Sequence, residues 1–308
     1  MAGSQDQVLV ARARDAGIEL KHDTETKGRS LWLDAWRRLR TNKAAMISIA
    51  ILILLTVAVI AGPWLSPYRF DQLDWQRMWA PPSLSNGHWF GTDSLGRDLL
   101  VRTLYGGRIS LLVGVISTAV SVVIGVAYGA TAGYFGGHLD AVMMRVVDIL
   151  YAMPFLFFVI LLMVFFDRHI VLMFVAIGAV NWLDIARVVR GQTLSLKQAP
   201  FIEAARLAGA GGVEIIRRHI VPNLLGVVVI YVTLAIPQVI LVESFLSFLG
   251  LGVQAPATSW GALVNEGAQE METAPWLLIF PASFLAITLF CFNFIGDGLR
   301  YALDPRDR

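Results

Sequence analysis

Charge is scarce in this chain. Only 16% of its 308 residues are Asp, Glu, Lys or Arg, against about 25% in soluble domains. Residues 44–68, 109–139, 149–166, 219–242 and 273–296 hold no charged residue at all. A spanning helix needs about 20 mainly apolar residues, so these windows exclude a wholly soluble domain. Cysteine is nearly absent as well. The single Cys291 rules out a disulfide framework within the chain and leaves no basis for a Cys-based metal site. The five histidines (His22, His88, His138, His169, His219) are scattered and do not read as a metal site. There is no phosphate loop of the GxxxxGK[ST] kind, so the chain is not expected to bind or hydrolyse ATP. No Ser/His/Asp or HExxH arrangement suggests an intramembrane enzyme, and catalytic residues are expected to be none. The polar N-terminus lacks an apolar core of the signal-peptide type, so the first span is expected to act as an uncleaved insertion signal. A net charge of +2 gives no reason to expect a nucleic-acid partner.

What remains is apolar: 56% of residues are hydrophobic. The pattern predicts an all-α, polytopic membrane protein with six helices, at about Ala44–Leu65, Ile109–Ala132, Ile149–Phe166, Ile170–Val189, Leu224–Leu246 and Trp276–Gly296. Nineteen of the 25 Lys and Arg fall in 1–45, 133–147, 187–222 and 297–308. Basic residues favour the cytoplasm, so both termini are expected there. The expected organisation is a cytoplasmic tail 1–43, a transmembrane domain 44–296 and a cytoplasmic tail 297–308. Within the domain, 67–108 is expected to be periplasmic and 190–222 a cytoplasmic loop. Arg97, Arg102 and Arg108 run against the charge rule; an amphipathic segment at the membrane interface with snorkelling arginine stems would accommodate them.

Several residues inside or near the spans stand out. Glu243 lies deep in an apolar run, where an acid defaults to a functional role; it would serve the translocation path or a gate, or be satisfied structurally by Ser244 and Ser247. Asp184 and Arg187, three apart, can face each other on one helix and partly neutralise, or mark where the helix leaves the bilayer; Asp184 is also a candidate for the translocation path or gate. Pro154 and Pro237 are expected to kink helices that line a cavity. Gly125, Gly129 and Gly133 recur every fourth residue, a spacing for close helix packing either within the chain or at a seam with another subunit.

The most distinctive stretch is 203–223, EAARLAGAGGVEIIRRHIVPN, a polar hinge between two apolar runs. Pro200 suits a first helical position. Gly209 suits the left-handed residue that ends a helix, and Gly211 and Gly212 leave the turn uncrowded. A second helix is expected from Val213, with Pro222 leading into the next span. Ala204, Ala205 and Ala208 permit a close approach by a partner, and Glu203 lies near a helix N-terminus, where negative charge is favoured.

This run resembles the cytoplasmic EAA loop of ATP-binding-cassette importer permeases, with Glu203, Ala204, Ala205, Gly209 and Pro222 on the motif positions and Arg206 inside it. His219 and Asn223 are similar to the peptide branch, whereas Val221 departs mildly from its usual Leu. "FGTDSLGRDLLVR" at 90–102, "GGRISL" at 106–111, "ESFLSFLGLG" at 243–252, "SWGALV" at 259–264 and "GDGLRYALDPRDR" at 296–308 resemble dipeptide, oligopeptide and nickel permeases. "GRSLWLDAWRRLRTNKAA" at 28–45 is most similar to the C-type permease of oligopeptide importers. The resemblance implies the type I importer permease fold in a bacterial inner membrane. It also implies partners: a second related permease, two cytoplasmic ATPases that carry the ATP and Mg, a periplasmic or lipid-anchored peptide-binding protein, and membrane lipid. No cofactor is implied in this chain itself. The loop would dock in an ATPase groove and act as a lever. Dipeptide, nickel or another small solute is the alternative cargo. A secondary transporter is the alternative class, disfavoured because no internal duplication is visible.

Overall fold

The computed structural model describes residues 31–165 and 170–303. Residues 1–30, the expected end of the third span at Phe166, and the tail 304–308 lie outside them. The described residues form eleven helices: α1 (Leu31–Thr41), α2 (Lys43–Leu65), α3 (Leu99–Phe135), α4 (Gly137–Ala152), α5 (Phe155–Phe165), α6 (Ile170–Leu196), α7 (Pro200–Leu207), α8 (Gly212–Ile215), α9 (Val221–Phe248), α10 (Trp260–Gln269) and α11 (Trp276–Leu303). A π-helical turn, Ile216–Ile220, fuses α8 to α9. The only β pairing among the described residues is an isolated bridge, Thr92 to Asp98.

Four helical stretches among the described residues are long and apolar enough to cross a membrane: α2, α3, Gly212–Phe248 and α11. The third expected span is divided. Met153 adopts an extended conformation after α4, and Pro154, whose ring disfavours a helical residue before it, is followed by a separate eleven-residue helix from Phe155. Pro154 therefore separates two helices rather than kinking one. The second expected span begins ten residues early, because Asp98 accepts a hydrogen bond from the Val101 N–H at 2.8 Å and caps α3 there. The tail read as 1–43 contains α1, which the sequence pattern did not reveal.

Pro63 stands inside α2 and offers no N–H to the Val59 carbonyl. Arg108 fills that gap: its Nε donates to the Val59 carbonyl at 2.9 Å, its Nη2 donates to the Ile60 carbonyl, and its guanidinium stacks 4.9 Å from the Trp64 ring. Arg97 and Arg102 do not snorkel. Arg102 is 2% exposed, and Asp93 Oδ2 receives both Arg97 Nε at 2.7 Å and Arg102 Nη1 at 2.5 Å. Arg102 also donates to both oxygens of Glu266 on α10, at 2.7 and 3.0 Å. Asp98 Oδ2 and His88 Nδ1, both buried, lie 2.8 Å apart. The buried Asp93–Arg102 pair thus fastens the segment 67–98 to α3, and the half-exposed Glu266 extends the network to α10.

The glycines of α3 face α6. A Cβ at Gly125 would meet Ile185 at 2.7 Å, one at Gly129 would strike the Ala186 carbonyl, and one at Gly133 would meet the Arg190 carbonyl at 2.8 Å. The repeat packs within the chain. Ser121 Oγ adds a hydrogen bond to the Gly178 carbonyl at 3.1 Å. Gly136 and Gly137 follow with φ of 66° and 58°, a left-handed pair that turns α3 into α4. α4 is then tied to α6. Arg190 grips both oxygens of Asp140 at 2.5 and 2.6 Å, and Arg187 donates to Asp148 at 2.8 Å while stacking 4.3 Å from the Tyr151 ring. The expected Asp184–Arg187 pair is not formed, because Asp148 on the neighbouring helix captures the arginine; Asp184 is exposed and makes no ion pair among the described residues.

Two outcomes follow from this packing. Gly129→Leu would overpack the α3–α6 contact and should lower stability by about 1–3 kcal/mol, measured as a reduced thermal midpoint in detergent; Gly191→Ala, at an open position, should not. The hydrogen bond from Arg190 holds the Asp140 carboxyl below the usual carboxylate range. A depressed acid stabilises fully above its unfolded value of about 3.9 and loses that contribution as pH falls through the folded value. The gap in thermal midpoint between the protein and Asp140→Asn should therefore hold from neutral pH to about 5 and close below about 4; a gap independent of pH would contradict the pairing.

Candidate functional site

The hinge is built on a buried foot. Ile202 of α7, Ile215 of α8 and Ile220 of the π turn are each 0% exposed. They pack with Ala130 of α3, Ile185 and Val189 of α6, and Leu224 and Val228 of α9. Three helices therefore fix the hinge from beneath, and each fully buried isoleucine contributes about 1.5–3 kcal/mol of apolar transfer energy.

The turns are locked by backbone bonds. α7 starts at Pro200, as expected. It ends in a Schellman arrangement: the Ala210 N–H donates to the Ala205 carbonyl at 3.0 Å and the Gly209 N–H to the Arg206 carbonyl at 3.0 Å. Gly209 has φ of +87°, the left-handed conformation its place in the sequence predicted. Nothing lies within 4 Å of where its Cβ would be, so backbone conformation alone demands glycine here. Pro222 enters the next helix just after the π turn. It has no N–H for the Arg218 carbonyl, and its ring crowds that carbonyl. The wider turn, closed by the Val221 N–H on the Ile216 carbonyl, relieves both problems.

The opposite surface of the hinge is open. Glu203, Ala204, Arg206 and Pro222 are exposed and Ala205 is half-buried. Leu207 and Val213 are 85% and 73% exposed, which is unusual for apolar side chains on so polar a segment, and Phe201 is also exposed. Arg206 lies 5.2 Å from the Tyr134 ring. Tyr134, Phe135, Lys197, Gln198, Glu203 and Arg206 together line a polar recess of about 500 Å³ beside α7. Arg218 pairs with Glu214 one turn away at 2.6 Å. The surface is a stiff knob with apolar and charged side chains side by side and no catalytic constellation. Among the described residues no His, Cys, Asp and Glu group is placed to hold a metal.

The other expected site residues lie elsewhere. Glu243 on α9 is 0% exposed. It accepts hydrogen bonds from Ser247 Oγ at 2.7 Å and Ser110 Oγ at 3.1 Å. Ser110 Oγ in turn accepts from the Trp260 N–H at 3.1 Å, and Ser259 Oγ donates to Ser247 Oγ at 3.2 Å. Ser247 is the satisfying partner the sequence suggested; Ser110 and Ser259 were not foreseen. Pro237 is buried six residues earlier in α9, whereas Pro154, between α4 and α5, and Asp184 on α6 are exposed. The structure thus brings Glu203, Ala204, Ala205, Arg206, Gly209 and Pro222 into one hinge and places Glu243, Pro237, Pro154 and Asp184 at separate points.

Comparison with known proteins agrees with this geometry. Residues 104–308 match the model of binding-protein-dependent transport system inner membrane components, and residues 30–82 match the N-terminal TM domain of oligopeptide transport permease C. The oligopeptide transport system permease protein of Escherichia coli K12 is 60% identical over 284 residues, covering 92% of this chain and 94% of its own length. Its Haemophilus influenzae counterpart is 56% identical over 286 residues, covering 93% of this chain and 92% of itself. The dipeptide transport system permease protein of Bacillus subtilis is 46% identical over 276 residues, covering 89% and 86%. A multi-pass helical chain with a surface-exposed hinge, matched by this family along two thirds of its length, belongs to the binding-protein-dependent transport system inner membrane components, the permeases of the bacterial inner membrane.

Proposed function

We propose that this chain is a permease subunit of an ATP-driven importer and, with a second related permease, forms the path by which oligopeptides cross the inner membrane. The observation that carries the reading is the hinge: a fully buried foot of Ile202, Ile215 and Ile220 beneath a knob that leaves Leu207 and Val213 uncovered. A lever must be stiff and must meet its driver differently in the driver's two states. The locked turns supply the stiffness, and the uncovered apolar side chains supply a surface for a partner.

In this reading six spans place both termini, α4 and the loop 190–222 in the cytoplasm, with 67–108 in the periplasm. One of the two ATPases docks on Glu203, Ala204, Ala205, Arg206 and Gly209, and the ATPases bind the ATP and Mg; this chain hydrolyses nothing. A periplasmic or lipid-anchored binding protein delivers peptide to the opposite end. Pro154 and Asp184, both exposed, are available to face a path between the two permeases. Glu243 and Pro237 sit within the helix packing, and we assign them to a gate that opens when α9 shifts. The oligopeptide assignment leans on the 60% identical relative; the 46% identical dipeptide permease makes dipeptides the second cargo to assay.

The test is uptake of labelled peptides by vesicles holding the chain with its companion permease, ATPases and binding protein. Glu203→Ala and Gly209→Val should each reduce ATP-dependent uptake at least tenfold while insertion and assembly of the chain persist. Gly209→Asn, which tolerates the left-handed conformation, should retain much more activity than Gly209→Val. Uptake unchanged by Glu203→Ala, or uptake by the chain alone, would overturn the assignment.

A further inference from the structure

We propose that the junction of α1, α2 and α11 is a binding site for one anionic phospholipid. α1 is amphipathic. Ala35 and Leu39 are buried against Ala45, Leu299 and Ala302, while Leu33 and Trp36 remain exposed. This is the pattern of a helix lying in the membrane interface. Arg37, Arg38, Arg40 and Lys43 cluster within seven residues at the start of the first span, a density that reads as recognition of anionic headgroups. Arg37, Arg40 and Lys43 are exposed, and the Arg40 guanidinium lies 5.1 Å from the Trp36 ring, a headgroup-level residue beside a cation.

A groove starts where this basic turn ends. Ala44, Ile47 and Ile51 of α2 and Ile287, Phe290 and Phe294 of α11 line a furrow of about 390 Å³, with Ser48 and Cys291 completing it. Positive charge at the mouth and an almost wholly apolar trough below match the two halves of one amphiphile. A free phosphate would leave the trough unfilled, and a zwitterionic lipid would leave the charge unmatched. Asp34 and Asp297 are the acidic residues on these three helices. Asp34 is in the first turn of α1, away from the α1–α2 junction, and the exposed Asp297 lies three residues before Arg300 on α11. The inference needs only that α2 spans the membrane, not that the cargo is peptide.

The experiment is native mass spectrometry of the full-length chain, purified with its companion subunits and exchanged into phosphatidylglycerol or phosphatidylcholine of matched chain length. One phosphatidylglycerol should be retained and phosphatidylcholine lost. The triple variant R37Q/R40Q/K43Q, altered only at exposed positions, should weaken phosphatidylglycerol binding on the order of 100-fold. Ala44→Trp, at the mouth of the trough, should weaken it while leaving the basic turn intact. Equal retention of both lipids, undiminished binding by the triple variant, or displacement by millimolar inorganic phosphate would overturn the site. So would a high-yield cross-link from Ile47→Cys to a companion subunit, which would give the trough to protein.

Discussion

The approach of α3 to α6 sets the geometry of everything at the hinge end. With three glycines on one face, the α3 backbone meets the Ala186 and Arg190 carbonyls of α6 directly. That contact fixes the height of α6. It brings Arg187 and Arg190 level with Asp148 and Asp140, so α4 is clamped alongside. It also brings Ala130, Ile185 and Val189 together as the seat for the three isoleucines of the hinge. In a membrane, where apolar burial no longer separates protein from lipid, such close packing is a main source of helix association.

The hinge was legible because its determinants are local. Pro200, Gly209 and Pro222 act within their own turns, and left-handed backbone at Gly209 needs no knowledge of the rest of the chain. Four of the spans were legible for the same reason, as uninterrupted apolar runs. The π turn before Pro222 was not foreseen, although the proline that causes it was. α1 escaped because it is short and its charges were counted as a tail; its buried pair, Ala35 and Leu39, spaced i and i+4, was the available signal.

Long-range partnerships were illegible. Arg102 and Glu266 are 164 residues apart, and nothing in either neighbourhood announces the other. Arg108 was an anomaly in the charge count until Pro63 supplied the reason: a carbonyl without its helical donor, on a helix brought close only by folding. The sequence reading erred on Arg187 in the same way. It offered Asp184, on the same helix, as a partner for the arginine, whereas Asp148 on α4 holds it. Arg102, Arg108, Arg187 and Arg190 each join elements distant in sequence, and a reading confined to one segment at a time misses such joints.

From Gly212 to Phe248 the chain is one continuous helical rod of 37 residues, about 55 Å long at 1.5 Å per residue. One end carries Val213 and Glu214 at the knob; the other carries Glu243 and Ser247, hydrogen-bonded to the serines that begin α10 and line α3. Two points along it depart from regular α-helix. The π turn is wound more loosely than its surroundings, and Pro237 leaves one rung of the ladder unmade. A push at one tip would therefore reach the far tip as translation, with any bending gathered at those two joints, as in a jointed piston.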